Sequence, residues 1–289
     1  MLVGALTFEK FHRKPKDTIG GSRIRINNMV KYWDEAEIFK YGRQYDAMIY
    51  QKVYWLEHAK AFDGIKILDL CDPDFMHWGY KTVEMIENCD AVVTSTEALK
   101  EAIENFVDKP VVCIPDRMDL NNYPYKKTHT REANKIGWFG YSHNFHAIDE
   151  SGVLKGMIDL KKNLEFVIIS DSIYTPPAFA KDKIKITNIK WTKNTVDQDI
   201  QKCDIMVNPH LDTSNWRFKS NNKTLHSWAL GVPVADTIGD VKRFIDPKER
   251  TKEIELRAKE LKEKWDIQQS LVEYKKLIKD LNEKRTSKN

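Results

Sequence analysis

Long apolar runs are missing from this 289-residue chain; none approaches the ~18 residues that a membrane-crossing helix needs. The opening MLVGALTFEKFHRK also lacks the basic-then-apolar order of a signal peptide. These absences argue against a secreted or integral membrane protein and make a cytoplasmic one the expectation. Cysteine is scarce: Cys71, Cys89, Cys113 and Cys203 form no CxxC pair and stand in or beside apolar segments. They read as buried free thiols in a reducing compartment. No charge sign dominates, since 47 Lys and Arg against 43 Asp and Glu leave +4. That balance permits a local phosphate patch without implying a histone-like binder. Internal repeats, low-complexity segments and a GxGxxG fingerprint are absent as well. What is present, 41% hydrophobic and 31% charged residues, is the composition of a folded chain, and the length suits two domains or one large one.

From the first residue to about 237, short β-branched apolar runs alternate with helical patterns. Candidate strands cover 2–6, 36–41, 47–50, 66–70, 91–95 and 111–114, and their nearly continuous apolar character suits strands buried on both faces of a parallel sheet. Helices are expected over 24–33, 53–62, 81–88 and 97–106. The polar, aperiodic DLNNYPYKKTHTREAN at 119–134 reads as a linker. A second series follows, with strands over 135–140, 164–170, 184–189, 205–208 and 232–235 and helices over 147–162, 196–202 and 222–230. The expectation is α/β: two Rossmann-like, doubly wound domains at 1–120 and 135–246, joined by a linker at 121–134. Residues 247–289 read as amphipathic helices broken near Asp266, with a frayed tail.

The most specific stretch is FKSNNKTLHSWALGVPV at 218–234. A basic, Ser/Asn-rich loop enters a helix at 221–223, the helix stops at Gly231, and Val-Pro-Val opens a strand. Backbone N–H groups and the positive end of the helix dipole can face a phosphate there, with Lys219 or Lys223 supplying countercharge. Taken alone, the same lysines would equally suit a solvated helix end. IGGSRIR at 19–25 is a second candidate. Gly20 and Gly21 let backbone approach a ligand, Ser22 caps the following helix, and Arg23 or Arg25 can fork onto phosphate oxygens. A plain glycine turn with a good cap is the alternative.

KSNNKTLHSWALGVPV resembles the donor-binding segment of GT-B-fold glycosyltransferases, which write K-S-x-x-K-x-L-E-x-x-A-L-G-x-P-V near the end of their second domain. CDAVVTSTEALKEAI, VVCIPDRMD and KIGWFGYSHN resemble further phrases of that fold in the expected order, so the resemblance spans roughly 19–246. Within that family the chain is similar to short phage-encoded glycosyltransferase-like proteins. The resemblance implies a nucleotide-sugar donor, a UDP-sugar first, held in the interdomain cleft by Ser142, Lys219, Asn222, Lys223 and His226, with Ser220 and Thr224 in the same motif. It implies no metal requirement, and final helices that cross back to brace the first domain. His226 stands where relatives carry a Glu for the donor ribose; it can bond a hydroxyl or be a satisfied helical histidine. Ser142, His143 and Asn144, ending the first strand of the second domain, would meet the diphosphate. Trp191 would be a nucleobase wall or simply core, with Asn208, His210, Trp216 and Arg217 completing that pocket.

DLCDPDFMHW at 69–78 sits past a buried strand, where sites in open α/β sheets collect. Asp72, Asp74 and His77 can accept a proton from, or bind, an acceptor hydroxyl, although Asp-Pro-Asp is also a common turn. The acceptor stays open between a saccharide and a hydroxymethylated pyrimidine in DNA. For DNA, Arg13, Lys14, Lys16, Arg23 and Arg25 offer a basic strip. A non-catalytic nucleotide-sugar or nucleic-acid binding protein of the same fold is the rival.

Overall fold

The structure is a computed structural model that describes residues 1–289 except 16–18, 125, 161–162, 212–215 and 288–289. Among the described residues, the strands form two parallel sheets. In the first, β1 (Val3–Thr7), β2 (Ala36–Ile38), β3 (Ala47–Gln51), β4 (Ile65–Leu70), β5 (Ala91–Thr94) and β6 (Val111–Cys113) lie in the order β2-β1-β3-β4-β5-β6. In the second, β7 (Lys135–Phe139), β8 (Glu165–Ser170), β9 (Lys185–Lys190), β10 (Ile205–Val207) and β11 (Val234–Ala235) run β11-β10-β7-β8-β9.

The apolar runs are continuous because both faces of each sheet are covered. Ala47 and Ile49 enter one core while Met48 and Tyr50 enter the other. Ile136, Trp138, Phe166 and Ile168 are separated in the same way from Phe139, Val167 and Ile169. Two parallel sheets with helices on their faces make the α/β, twofold Rossmann-like architecture expected.

The chain divides into two compact units. The first is Met1–Asp119, Thr213–Ser220 and Asp266–Asn289; the second is Leu120–Asp212 and Asn221–Trp265. The C-terminal helices are therefore shared between the units, which corrects the expectation that all of 247–289 braces the first. Helix Ile267–Thr286 buries Ile267, Leu271, Tyr274, Leu277, Ile278 and Leu281 in the first unit's core. Helix Pro247–Lys264 stays in the second unit, where Arg257 lies 4.5 Å from the Trp228 ring centroid. The break falls where expected, with the Asp266 carboxylate accepting from the Gln268 amide at 2.8 Å.

Other boundaries moved. The helix expected over 24–33 is a π-helical turn, Ser22–Asn27, followed by the short Asn28–Val30. That turn buries the polar Ser22, Arg25 and Asn27, so no clean amphipathic period marks it. The helix expected over 147–162 splits at Gly152, whose φ of 76° favours glycine, into Phe145–Glu150 and Val153–Asp159. Of the cysteines, Cys89 and Cys203 are buried, while Cys71 and Cys113 are half-buried.

The polar stretch at 119–134 is not a free tether. The Lys127 amide donates to Leu230 O at 3.1 Å, and its ammonium reaches Cys203 O at 2.6 Å and Asp204 at 3.0 Å. His129 bonds Gly231 O through Nε2 at 2.9 Å and accepts from the buried Arg250 at Nδ1, 3.1 Å away. Burial, with Arg250 adding to it, holds the His129 pKa below its ordinary value. Below about pH 6.5 the unfolded chain therefore takes up a proton that the folded chain resists, and stability falls as pH falls. His129→Gln keeps one donor and one acceptor but cannot titrate, so its melting temperature should fall less between pH 7.5 and 5 than the parent's. Parallel melting curves for the two proteins would remove this role from His129.

Candidate functional site

In open α/β sheets, ligands bind beyond the strand C-termini where the strand order reverses. In the second sheet that point lies between β7 and β10. Gly140 follows β7, and a side chain there would come within 2.9 Å of the Trp138 ring and 3.0 Å of Lys223 Nζ. Only glycine lets the Lys223 ammonium lie this close to the strand end, 5.2 Å from the Trp138 ring centroid. Beyond β10, Asn208 Nδ2 contacts both Thr224 Oγ1 and His210 Nε2 at 3.1 Å. Burial and the Lys223 cation lower the His210 pKa against the pull of Asp236. Helix Asn222–Ala229 starts with no side-chain cap and ends before Gly231, whose φ is 79°. Lys223, the positive end of its helix and the glycine gap together form a cationic niche at the strand ends.

Neighbouring candidates are differently occupied. The Ser142 amide and hydroxyl are both bound by Asp171, at 2.7 and 3.1 Å, so neither stands open toward a diphosphate as expected. The Ser142 amide, outweighing slight burial, keeps Asp171 below the usual carboxylate range. His143 stacks on Tyr141 and meets Asn144 Nδ2 at 3.0 Å. His226 is buried, with Nε2 2.7 Å from Asp197 and its ring between Tyr123 and Phe139. That is the satisfied-histidine alternative, although the carboxylate it holds is half exposed. Trp191 packs on the core containing Val167 and Ile169.

A separate polar cluster lies in the first unit. Past β4, Asp72 receives Lys52 at 2.6 Å and Lys219 at 3.5 Å. Asp74 receives Lys52 at 3.3 Å and the Tyr54 hydroxyl at 2.5 Å. Burial would raise the Asp72 pKa, but the two lysines outweigh it and keep the carboxylate ionised. Lys52 has a φ of 52°, an uncommon conformation for a lysine, and its amide bonds Asp69 O at 2.9 Å. Such local strain collects at functional positions. Sequence reasoning passed over Lys52 and Tyr54; the available signal was that Lys52 directly follows a buried strand. His77 is exposed in the last turn of Asp74–Trp78. Lys219 and Ser220 belong to this unit with Trp216 and Arg217, whereas Asn222, Lys223 and Thr224 belong to the other. The motif thus serves two places, not one.

The glycine loop is corrected in part. Gly21 leaves room against Cys71 and Gln51, since a side chain would meet them at 3.2 and 3.4 Å, whereas nothing crowds Gly20. Ser22 does not cap the helix that follows it: its hydroxyl donates to Gln51 at 2.8 Å and accepts from the Glu9 amide at 3.3 Å. Arg25 is buried and bonds Asp69 at 2.7 and 3.1 Å, Asp116 at 2.8 Å and Ile114 O at 3.0 Å, so it cannot serve a phosphate. Arg23 is half-buried. Of the proposed basic strip, Lys16 lies outside the described residues, and Arg13 and Lys14 are exposed. Among the described residues, no group of three His, Cys, Asp or Glu is placed to hold a metal ion.

No family model and no curated protein sequence matches the chain. Solved structures do. T4 phage beta-glucosyltransferase matches at TM-score 0.59 and 10% identity over 96% of this chain and 99% of its own. An alpha-glucosyltransferase in complex with UDP-glucose and DNA containing an abasic site matches at TM-score 0.62 and 11% identity, over 82% and 81%. TarM matches at TM-score 0.59 and 13% identity over 86% of this chain, which spans only 57% of TarM. The chain has the GT-B fold that its motifs imply.

Proposed function

We propose that this protein transfers a sugar from a nucleotide-sugar donor, a UDP-sugar, to an acceptor hydroxyl. The observation that carries the proposal is the niche at the β7/β10 switch point: Lys223, in the first turn of its helix, holds its ammonium over Gly140 and Trp138 at the end of β7. When the glycosidic bond breaks, negative charge develops on the departing diphosphate. A fixed cation and aligned N–H groups stabilise that charge without rearranging. Asp72 in the first unit binds the acceptor hydroxyl. Held ionised by Lys52 and Lys219, it orients that hydroxyl more effectively than it removes a proton. The chemistry as proposed routes no step through a metal.

For the acceptor, a hydroxymethylated pyrimidine in DNA is favoured over a saccharide by the likeness to an alpha-glucosyltransferase solved with UDP-glucose and DNA. The test measures UDP release from several UDP-sugars, alone, with hydroxymethylated DNA and with glycans. Donor-dependent UDP release, increased by one acceptor class, is the expected result. UDP binding without turnover on any donor would leave the non-catalytic binding protein as the reading.

A further inference from the structure

β7, β10 and β11 run parallel, so the residues that follow them gather at one end of the second sheet. His210, just past β10, is one of these. Its side chain is exposed, yet a buried group sets its ring. Asn208, 7% exposed, directs its amide nitrogen to Thr224 Oγ1 and to His210 Nε2, each at 3.1 Å. An amide nitrogen can only donate, so Nε2 accepts and the imidazole proton sits on Nδ1. Thr224 directly follows Lys223. One buried side chain therefore ties the His210 ring to the helix start that carries the ammonium.

Histidines that serve packing look different in this unit. His226 is buried between the Tyr123 and Phe139 rings, and His129 is bonded at both nitrogens, to Gly231 O and to Arg250. His210 instead keeps an exposed ring in a fixed tautomer, which packing alone does not require. The charged groups that act on it are Asp236, just past β11, and Lys223. Burial and the Lys223 cation hold the imidazole neutral at neutral pH against the pull of Asp236. A diphosphate beside Lys223 offsets that cation and so favours the imidazolium. The change needs only a proton from solvent on Nε2 and a turn of the Asn208 amide. Its Oδ1 then accepts from Nε2–H and from the Thr224 hydroxyl.

We propose that His210 is a second anion-binding residue of the niche, its imidazole directed by Asn208 to hydrogen-bond a diphosphate oxygen of the donor alongside Lys223. This rests on the donor site of the transferase reading and adds a proton to it, drawn onto His210 as the nucleotide binds. UDP is titrated calorimetrically into the full-length parent, His210→Ala, Asn208→Ala, the double variant and Lys223→Ala at about pH 6.5, near the ordinary histidine pKa. Two buffers of different ionisation enthalpy give proton uptake together with affinity. His210→Ala should bind UDP roughly 10-fold more weakly, with an unchanged melting temperature because the side chain is exposed. It should also take up fewer protons per UDP than the parent, a difference that the nucleotide's own phosphate, common to both, does not produce. The double variant should bind about as His210→Ala does, because Asn208 acts through the ring. Parental affinity and proton uptake in His210→Ala, with Lys223→Ala weakened, would overturn the role of His210 and leave the donor niche standing. Losses that add in the double variant, or a lower melting temperature with parental proton uptake, would make His210 structural and overturn it too. Parental affinity in both His210→Ala and Lys223→Ala would remove the niche itself.

Discussion

Arg25→Met is expected to destabilise the protein by about 3–5 kcal/mol, a large fraction of the ~5–15 kcal/mol that holds a domain together. The guanidinium is buried and sits between Asp69 and Asp116, and the Tyr274 hydroxyl also donates to Asp69. Burial alone would favour a neutral guanidine, but these partners keep it charged. Its removal leaves two buried carboxylates without a cation, which costs more than the original pair gained. Arg25→Lys should recover little, because an ammonium cannot reproduce the fork onto Asp69 together with the bonds to Asp116 and Ile114 O. Urea unfolding followed by circular dichroism measures the loss. A change below about 1 kcal/mol would show that the cluster tolerates an unbalanced charge.

Asp72→Asn should lower turnover about 100-fold while leaving UDP affinity within threefold, because it alters acceptor handling and not the donor niche. It should also release Lys52 and Lys219 from their shared carboxylate. The fold should survive, since Asp72 is only half-buried. Asp74→Asn provides the comparison. If it alone reduces turnover, the acceptor ligand is one residue pair along the loop; if neither variant loses activity, this loop has no part in the reaction.

Both sheets were legible because strands buried on two faces read as uninterrupted apolar runs, and Asp266 marked the last helix break by its own capping chemistry. The π-helical turn was not legible, because it owes its place to buried polar residues that no hydrophobic period announces. The stretch 218–234 was read correctly as a loop entering a helix that stops before Gly231, but its division between Lys219 and Lys223 depends on Phe218 packing into the first unit's core. That is a tertiary fact without a local signature. Asp116 and Arg117 fell between the strand expected at 111–114 and the polar stretch at 119–134, which Asp119 opens. They are instead anchors, with Arg117 bidentate to Glu273 at 2.6 and 2.8 Å and Asp119 accepting from Tyr32 at 2.6 Å. Asp171 and Asp197 were missed because each acts through a partner about 29 residues away in sequence.

A calorimetric titration of UDP into the parent, Lys223→Ala and Lys219→Ala proteins tests the central claim, that the diphosphate sits beneath Lys223 at the β7/β10 strand ends. Losing a charge-assisted contact to phosphate costs about 1.5–3 kcal/mol, so Lys223→Ala should bind UDP roughly 10- to 100-fold more weakly with an unchanged melting temperature. Lys219→Ala should stay near the parent, because its partner is Asp72. Equal affinity for the parent and Lys223→Ala, or a loss confined to Lys219→Ala, would contradict the proposed donor site.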